Sequence, residues 1–263
     1  GARMRAPSPS RDGIAVVTGA GRRLGAAFAA ALAADGWFVR LHYNASAGPA
    51  EDLANEIRRK GGRCDLVQAD LTAADAAAQL FAPEGEAGYA SLLVNNASVF
   101  TFDSIATLSA ASLAENYAVN AAAPVLLAQA FAAQLPWDRR GLIVNLLDQK
   151  LFNLNPDFFA YTLSKAALGA ANVMLAQALA PRIRVNAIAP GITLPSADQT
   201  ESEFEAAQAT PPLGHGSSPD DLVQALRYLV SAESMTGQTL VVDGGQSLTP
   251  AARDVMFAVR GED

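Results

Sequence analysis

The sequence predicts an α/β chain: one doubly wound domain with a seven-stranded parallel sheet and helices on both faces. Three observations carry this. Short runs of β-branched and apolar residues alternate with Ala-rich amphipathic runs over the whole length. The first run ends in a glycine-rich turn that opens directly into a helix. No repeat or internal linker divides the chain, so residues 13–263 form a single domain.

The elements follow in order. Ile14–Thr18 is a buried strand, and Leu24–Gly36 a helix closed by its glycine. Trp37–Tyr43 is the second strand, and Pro49–Lys60 a helix stopped by Gly61 and Gly62. Cys64–Ala69 is the third strand, Ala73–Phe81 a helix, and Leu92–Asn95 the fourth strand. A long helix over Ser109–Gln134 carries an irregular stretch around Pro124. Leu142–Leu147 is the fifth strand, Asp157–Leu179 a helix, and Arg184–Ile188 the sixth strand. Glu201–Ala207 and Pro219–Val230 are helical, and Thr239–Val242 is the last strand. Thr193 to Ser217 is polar and proline-bearing and reads as a lid over a substrate. The closing stretch PAARDVMFAVRGED continues past the sheet, to pack at a subunit interface or fray. Residues 1–12 are polar and Pro-rich, a disordered extension or expression remnant, with Met4 readable as the native start.

Bulk composition sets the bounds. Of 263 residues, 51% are hydrophobic and 17% charged, which suits a sizeable core. A net charge of -7 argues against a nucleic-acid surface. Cys64 is the sole cysteine, so no internal disulfide forms, and a reducing, cytoplasmic setting is expected. No apolar run approaches the ~18 residues that span a bilayer, and no secretory leader is visible. His42 and His215 lack metal-like neighbours, so no metal is expected.

Two stretches carry chemistry. Thr18-Gly19-Ala20-Gly21-Arg22-Arg23-Leu24-Gly25 joins strand to helix, where glycine lets the backbone approach a pyrophosphate. An NAD site wants an acid near the end of the second strand to hold the ribose 2′-OH. Here stand Tyr43, Asn44 and Ser46, with Arg22 and Arg23 in the loop. A 2′-phosphate suits these groups, so the expected cofactor is NADPH; the alternative is that the arginines are solvated surface. Further on, Tyr161 and Lys165 share a helix face. With five tyrosines and three lysines in the chain, chance pairs at this spacing number about 0.06. A nearby ammonium favours the phenolate and is expected to lower the tyrosine pKa. Asp148 stands where the fifth strand ends, the place where such sheets bind ligands.

These residues resemble the short-chain dehydrogenase/reductase superfamily, a Rossmann-type family, over nearly the full chain. The matches are the glycine loop, Asp70-Leu71, Asn95-Asn96-Ala97-Ser98, Asn120, Tyr161 with Lys165, Pro190-Gly191 and Asp243-Gly244-Gly245. The resemblance implies strand order 3-2-1-4-5-6-7, hydride transfer with a nicotinamide cofactor, and a homotetramer or dimer. It places Gly19, Arg22, Arg23, Leu24, Tyr43, Asn44, Ser46, Asp70, Leu71, Asn96, Ala97, Ser98, Tyr161, Lys165, Pro190, Gly191 and Ile192 around the cofactor. It gives Asn120 a water in a proton relay to Lys165.

Most members carry Ser where this chain has Asp148, and an ionised carboxylate cannot donate a hydrogen bond to a ketone. The pteridine reductases, including dihydromonapterin reductases, carry Asp there. The chain is similar to that branch also in Arg23, in LHYNAS, in NNAS followed by Phe100, and in DGGQSLT. Ala45 departs from it, standing where some of the branch carry Arg on the 2′-phosphate. The branch implies a small-molecule substrate held by Arg23, Phe100, Asp148 and Tyr161. Asp148 is then proton donor or relay, its pKa raised by burial near Tyr161; Lys165 orients the ribose and tunes Tyr161. Phe100 is a platform for the pterin or simply core. Alternatives are a reductase of another carbonyl or imine, and a non-catalytic NADP-binding sensor or scaffold.

Overall fold

The computed structural model describes residues 7–8, 13–83, 88–196 and 198–261; most of the expected N-terminal extension lies outside them. Seven strands form one parallel sheet: β1 (Gly13–Val17), β2 (Phe38–Tyr43), β3 (Arg63–Gln68), β4 (Tyr89–Asn95), β5 (Gly141–Leu146), β6 (Ile183–Pro190) and β7 (Thr239–Val242). Their order is β3-β2-β1-β4-β5-β6-β7, as expected. The order in which strands are added reverses between the parallel neighbours β1 and β4, and the crevice outside those strand ends is the natural ligand site.

Alternation along each strand sends side chains to opposite faces. Ala15, Val17, Val94 and Val144 meet α1 (Arg23–Ala34) and α8 (Pro219–Ser231) through Phe28, Leu32, Leu222 and Leu226. Ile14, Val16, Leu93 and Ile143 meet α5 (Ala123–Gln134) through Leu127 and Phe131. With both faces covered, the strands read as continuous apolar runs. Between these elements lie α2 (Ala47–Arg59), α3 (Ala76–Leu80), α4 (Ala110–Tyr117), α6 (Phe159–Leu179) and α7 (Glu201–Gln208).

Several boundaries differ from expectation for local reasons. The helix expected over Ala73–Phe81 shrinks to α3, because Asp70 spends its carboxylate on a turn with Thr72 N–H and Oγ. The long helix expected over Ser109–Gln134 is divided by a π turn at Ala118–Ala122, one turn before Pro124. Proline has no N–H to return, so wider winding upstream is one way to accommodate it. Asn120 falls inside that turn. α6 starts at Phe159 rather than Asp157, since Phe158 is left-handed (φ 54°). Asp103 caps its first turn from a distance, accepting from Ala160 N–H at 3.2 Å.

As far as Gly261 the C-terminal segment packs on its own chain. After a short 3-10 turn, α9 (Val255–Ala258) folds back on the same chain. Arg253 pairs with Asp157, Arg260 with Glu203, and the Phe257 ring lies 5.0 Å from Phe102.

Candidate active site

The glycine loop is stitched from three strands. Gly19 takes φ +61°, a conformation open to glycine. Its N–H donates to His42 Nδ1 at 3.0 Å, and His42 Nε2 reaches Ala69 O at 2.9 Å. An accepting Nδ1 leaves the proton on Nε2, so the ring is neutral; burial lowers its pKa below 6.5. Thr18 Oγ1 accepts the N–H groups of Asn96 and Ala97, both at 3.0 Å. Asn96 Nδ2 donates to the carbonyls of Thr18 and Gly19 at 3.2 Å. At Gly25 a Cβ would sit 2.1 Å from Gly19 O, so only glycine lets α1 start this close to the loop.

From this loop a cleft of about 700 Å³ runs to the ends of β5 and α6. It is lined at one end by Arg22, Asn44, Asp70 and Leu71, at the middle by Asn96, Ala97, Ser98, Pro190, Gly191 and Ile192, and at the other by Phe100, Asp148, Tyr161 and Lys165. Gly19, Arg23 and Leu24 also line it. Tyr43, Ser46 and Asn120 do not; Ser46 instead backs Gly21, where a Cβ would lie 3.2 Å from its carbonyl. The dimensions, the glycine cradle and the absence of an acid after β2 fit a dinucleotide with a phosphorylated ribose. Arg22 is exposed and faces this end. Arg23, expected at the phosphate and the substrate, donates to Pro195 O at 2.7 Å and so ties the glycine loop to the segment after β6.

At the far end Tyr161 Oη donates to Asp148 Oδ2 at 2.8 Å, and Lys150 N–H donates to Asp148 Oδ1 at 2.8 Å. Burial raises the Asp148 pKa; those two hydrogen bonds oppose the shift, and the Asp254 carboxylate adds to it. The expected lowering of the Tyr161 pKa is reversed. Burial, then the adjacent Asp148 charge, push the phenol well above 10. Lys165 does not offset this, because its Nζ donates to Leu146 O at 2.8 Å and stays 5.8 Å from the phenol ring centre. Burial brings Lys165 itself down to about 8.

Asn120 is fully buried, and its side-chain hydrogen bonds go to Val99, Asn116 and Ser164 rather than directly to Tyr161 or Lys165. Its amide brackets Val99, accepting from N–H at 2.8 Å and donating to O at 3.0 Å, and it donates to Ser164 Oγ at 3.0 Å. It thereby fixes the segment after β4 that carries Phe100. Phe100 is half exposed, stacked on Phe158 at 4.3 Å and edge-on to Tyr161 at 4.7 Å. The two ends of the segment expected as a lid are joined by Thr193 Oγ1 and Ser217 Oγ at 2.7 Å, and Gln208 donates to Ile192 O at 2.9 Å.

Sequence reasoning missed His42 as loop support, and Gln149, Lys150, Asp254 and Met256 near the substrate end. The HY at the end of β2 was a weak cue for His42. Lys150 and Asp254 are paired at 3.0 Å across 104 positions, which no local pattern reveals.

Fold and site together define a dinucleotide-dependent oxidoreductase. A family profile described as enoyl-(acyl carrier protein) reductase matches residues 19–247. A FolM alternative dihydrofolate reductase 1 from Brucella suis, solved in complex with NADP, is 42% identical, with TM-score 0.84 over 91% of this chain and 96% of that one. Pteridine reductase 1 of Leishmania tarentolae is 32% identical, covering 90% of this chain and 97% of its own. An angucycline C-6 ketoreductase, LanV, with bound NADP is 28% identical, with TM-score 0.84 over 94% of this chain and all of that one. The chain belongs to the short-chain dehydrogenase/reductase family.

Proposed function

We propose that the protein is an NADPH-dependent reductase of dihydropterin-type substrates. NADPH, when bound, supplies the hydride. The observation that carries the substrate class is Asp148, buried against Tyr161 where a ketone reductase needs a hydrogen-bond donor. A raised pKa leaves part of Asp148 protonated at a higher pH than an ordinary carboxylate. The protonated carboxyl can give its proton to a ring nitrogen; the carboxylate left behind is held by the Tyr161 hydroxyl, which stays protonated, and takes its next proton from solvent. Lys165, cationic below about pH 8, places positive charge beside that pair. Phe100, backed on one face by Phe158 and half exposed, is the aromatic proposed to meet a flat heterocycle. Asn120 positions the Val99–Phe100 segment through its amide and is proposed also to hold a water in a proton relay to Lys165.

The NADP-bound FolM and the Leishmania pteridine reductase support this assignment. LanV keeps a ketone substrate as the second reading. Half-exposed Tyr117, Leu163, Val173 and Met174 on α4 and α6 support a homotetramer or dimer, and the lone buried Cys64 a reducing compartment, the cytoplasm. The lid is proposed over Thr193 to Ser217.

The test is NADPH oxidation with dihydrobiopterin, dihydromonapterin and simple ketones, at neutral and mildly acidic pH. Pterin turnover that rises with acidity is expected. Ketone turnover with silent pterins would overturn the substrate class, and NADPH binding without turnover of any compound would favour a sensor.

A further inference from the structure

Five side-chain polar atoms among the described residues are buried without a hydrogen-bond partner, and Gln149 Oε1 alone belongs to a residue that lines the cleft. Gln149 is 8% exposed. Its backbone is fixed, because the 3-10 turn Gln149–Phe152 starts directly from Asp148. Leu151 N–H donates to Asp148 O at 3.1 Å, and Lys150 N–H to Asp148 Oδ1 at 2.8 Å.

The acceptors around it are already engaged by protein donors. Asp148 takes Lys150 N–H and Tyr161 O–H. Asp254 takes Lys150 Nζ at 3.0 Å and Met256 N–H at 3.1 Å. Lys150 thus holds both carboxylates, one through its backbone and one through its side chain. Gln149 Oε1 is left over. An unpaired buried acceptor is costly, and a ligand that brings a donor removes that cost.

We infer that Gln149 is a substrate-recognition residue, its side-chain carbonyl accepting a hydrogen bond from an amino or ring N–H donor on the heterocycle that Asp148 protonates. This rests on the pteridine assignment above and adds to it the group that selects the substrate's edge. A pterin presents an amino group and a ring N–H side by side; a lumazine of the same skeleton replaces the amino donor with a carbonyl acceptor. Gln149 accordingly favours the first and opposes the second.

The experiment compares 7,8-dihydrobiopterin with the corresponding 2-oxo dihydrolumazine in NADPH-oxidation assays of wild type, Gln149→Met and Gln149→Glu. Wild type is expected to favour dihydrobiopterin. Gln149→Met removes the acceptor at similar volume and raises KM for dihydrobiopterin about tenfold, with kcat within about twofold and little change for the lumazine. Gln149→Glu keeps an acceptor and holds KM within about threefold of wild type. A folded, NADPH-binding Gln149→Met enzyme with an unchanged preference would overturn the role of Gln149 while leaving the pteridine assignment intact. A wild type that reduces neither pteridine would overturn both.

Discussion

The two ends of the cleft are built in different ways. At the glycine loop, side chains bond to backbone: His42 holds Gly19 N–H, Thr18 holds two N–H groups, and Asn96 holds two carbonyls. The result is a rigid cradle whose chemistry is carried by the main chain. At the substrate end, side chains bond to side chains drawn from distant segments: Tyr161 to Asp148, Lys150 to Asp254, Phe100 on Phe158. Main-chain cradles tolerate change in most side chains, whereas the substrate end changes character with a single residue. A family can therefore share one cofactor site and diverge in what it reduces.

The sharpest test of that contrast is the proton path. Tyr161→Phe is expected to cut kcat by about 10²–10⁴-fold, the range of general acid catalysis, while NADPH affinity measured by fluorescence stays near wild type. A loss of NADPH affinity equal to the loss of rate would merge the two ends into one unit.

Asp148→Ser should follow, lowering pteridine turnover by about 10²-fold and raising turnover of simple ketones, since a hydroxyl donates where a carboxylate cannot. If both activities fall together, Asp148 supports structure rather than substrate choice. Wild-type pteridine turnover should fall as pH rises, as Asp148 loses its proton. Lys165 adds a second fall above about pH 8. In Asp148→Asn only the Lys165 step should remain in the pH–rate profile.

At the other end, Asn96→Ala removes two hydrogen bonds to the loop and should raise KM for NADPH about tenfold, with kcat within about threefold. A change confined to the pteridine KM would show that the loop also serves substrate.

The smallest effect concerns stability. A carboxyl whose folded pKa is raised contributes stability below its unfolded pKa and loses it as pH rises through the folded one. At neutral pH Asp148 is therefore a burden, and Asp148→Asn should raise Tm by about 2–4 °C while abolishing most turnover. An unchanged or lower Tm would show that Lys150 and Tyr161 fully compensate the buried charge.

Much of this was legible in the sequence, for physical reasons. Strands buried on both faces write apolar runs, and the glycine loop and the Tyr161–Lys165 pair are encoded by spacing within single elements. Asp148 was legible because it ends a strand. The π turn was visible only as unease around Pro124, since its cause is a missing N–H and its effect falls a turn earlier. The Tyr161 pKa was read with the wrong sign. Its neighbour in the helix is a lysine, but its neighbour in space is Asp148. Asp254 was out of reach because its place depends on where the C-terminal segment folds back, and Gln149 because an unpaired buried acceptor shows only in three dimensions.

His42 gives the site an acid limit. Because its native pKa lies below 6.5, the unfolded chain takes up the proton first as pH falls, and the fold loses stability below that value. Once protonated, the ring has no lone pair for Gly19 N–H, and the cradle loosens. Acid that loads the proton donor at one end therefore weakens the grip at the other, and output peaks in a band rather than climbing without limit. NADPH affinity that weakens between pH 7 and about 5 in wild type, but not in His42→Asn, would mark that lower edge.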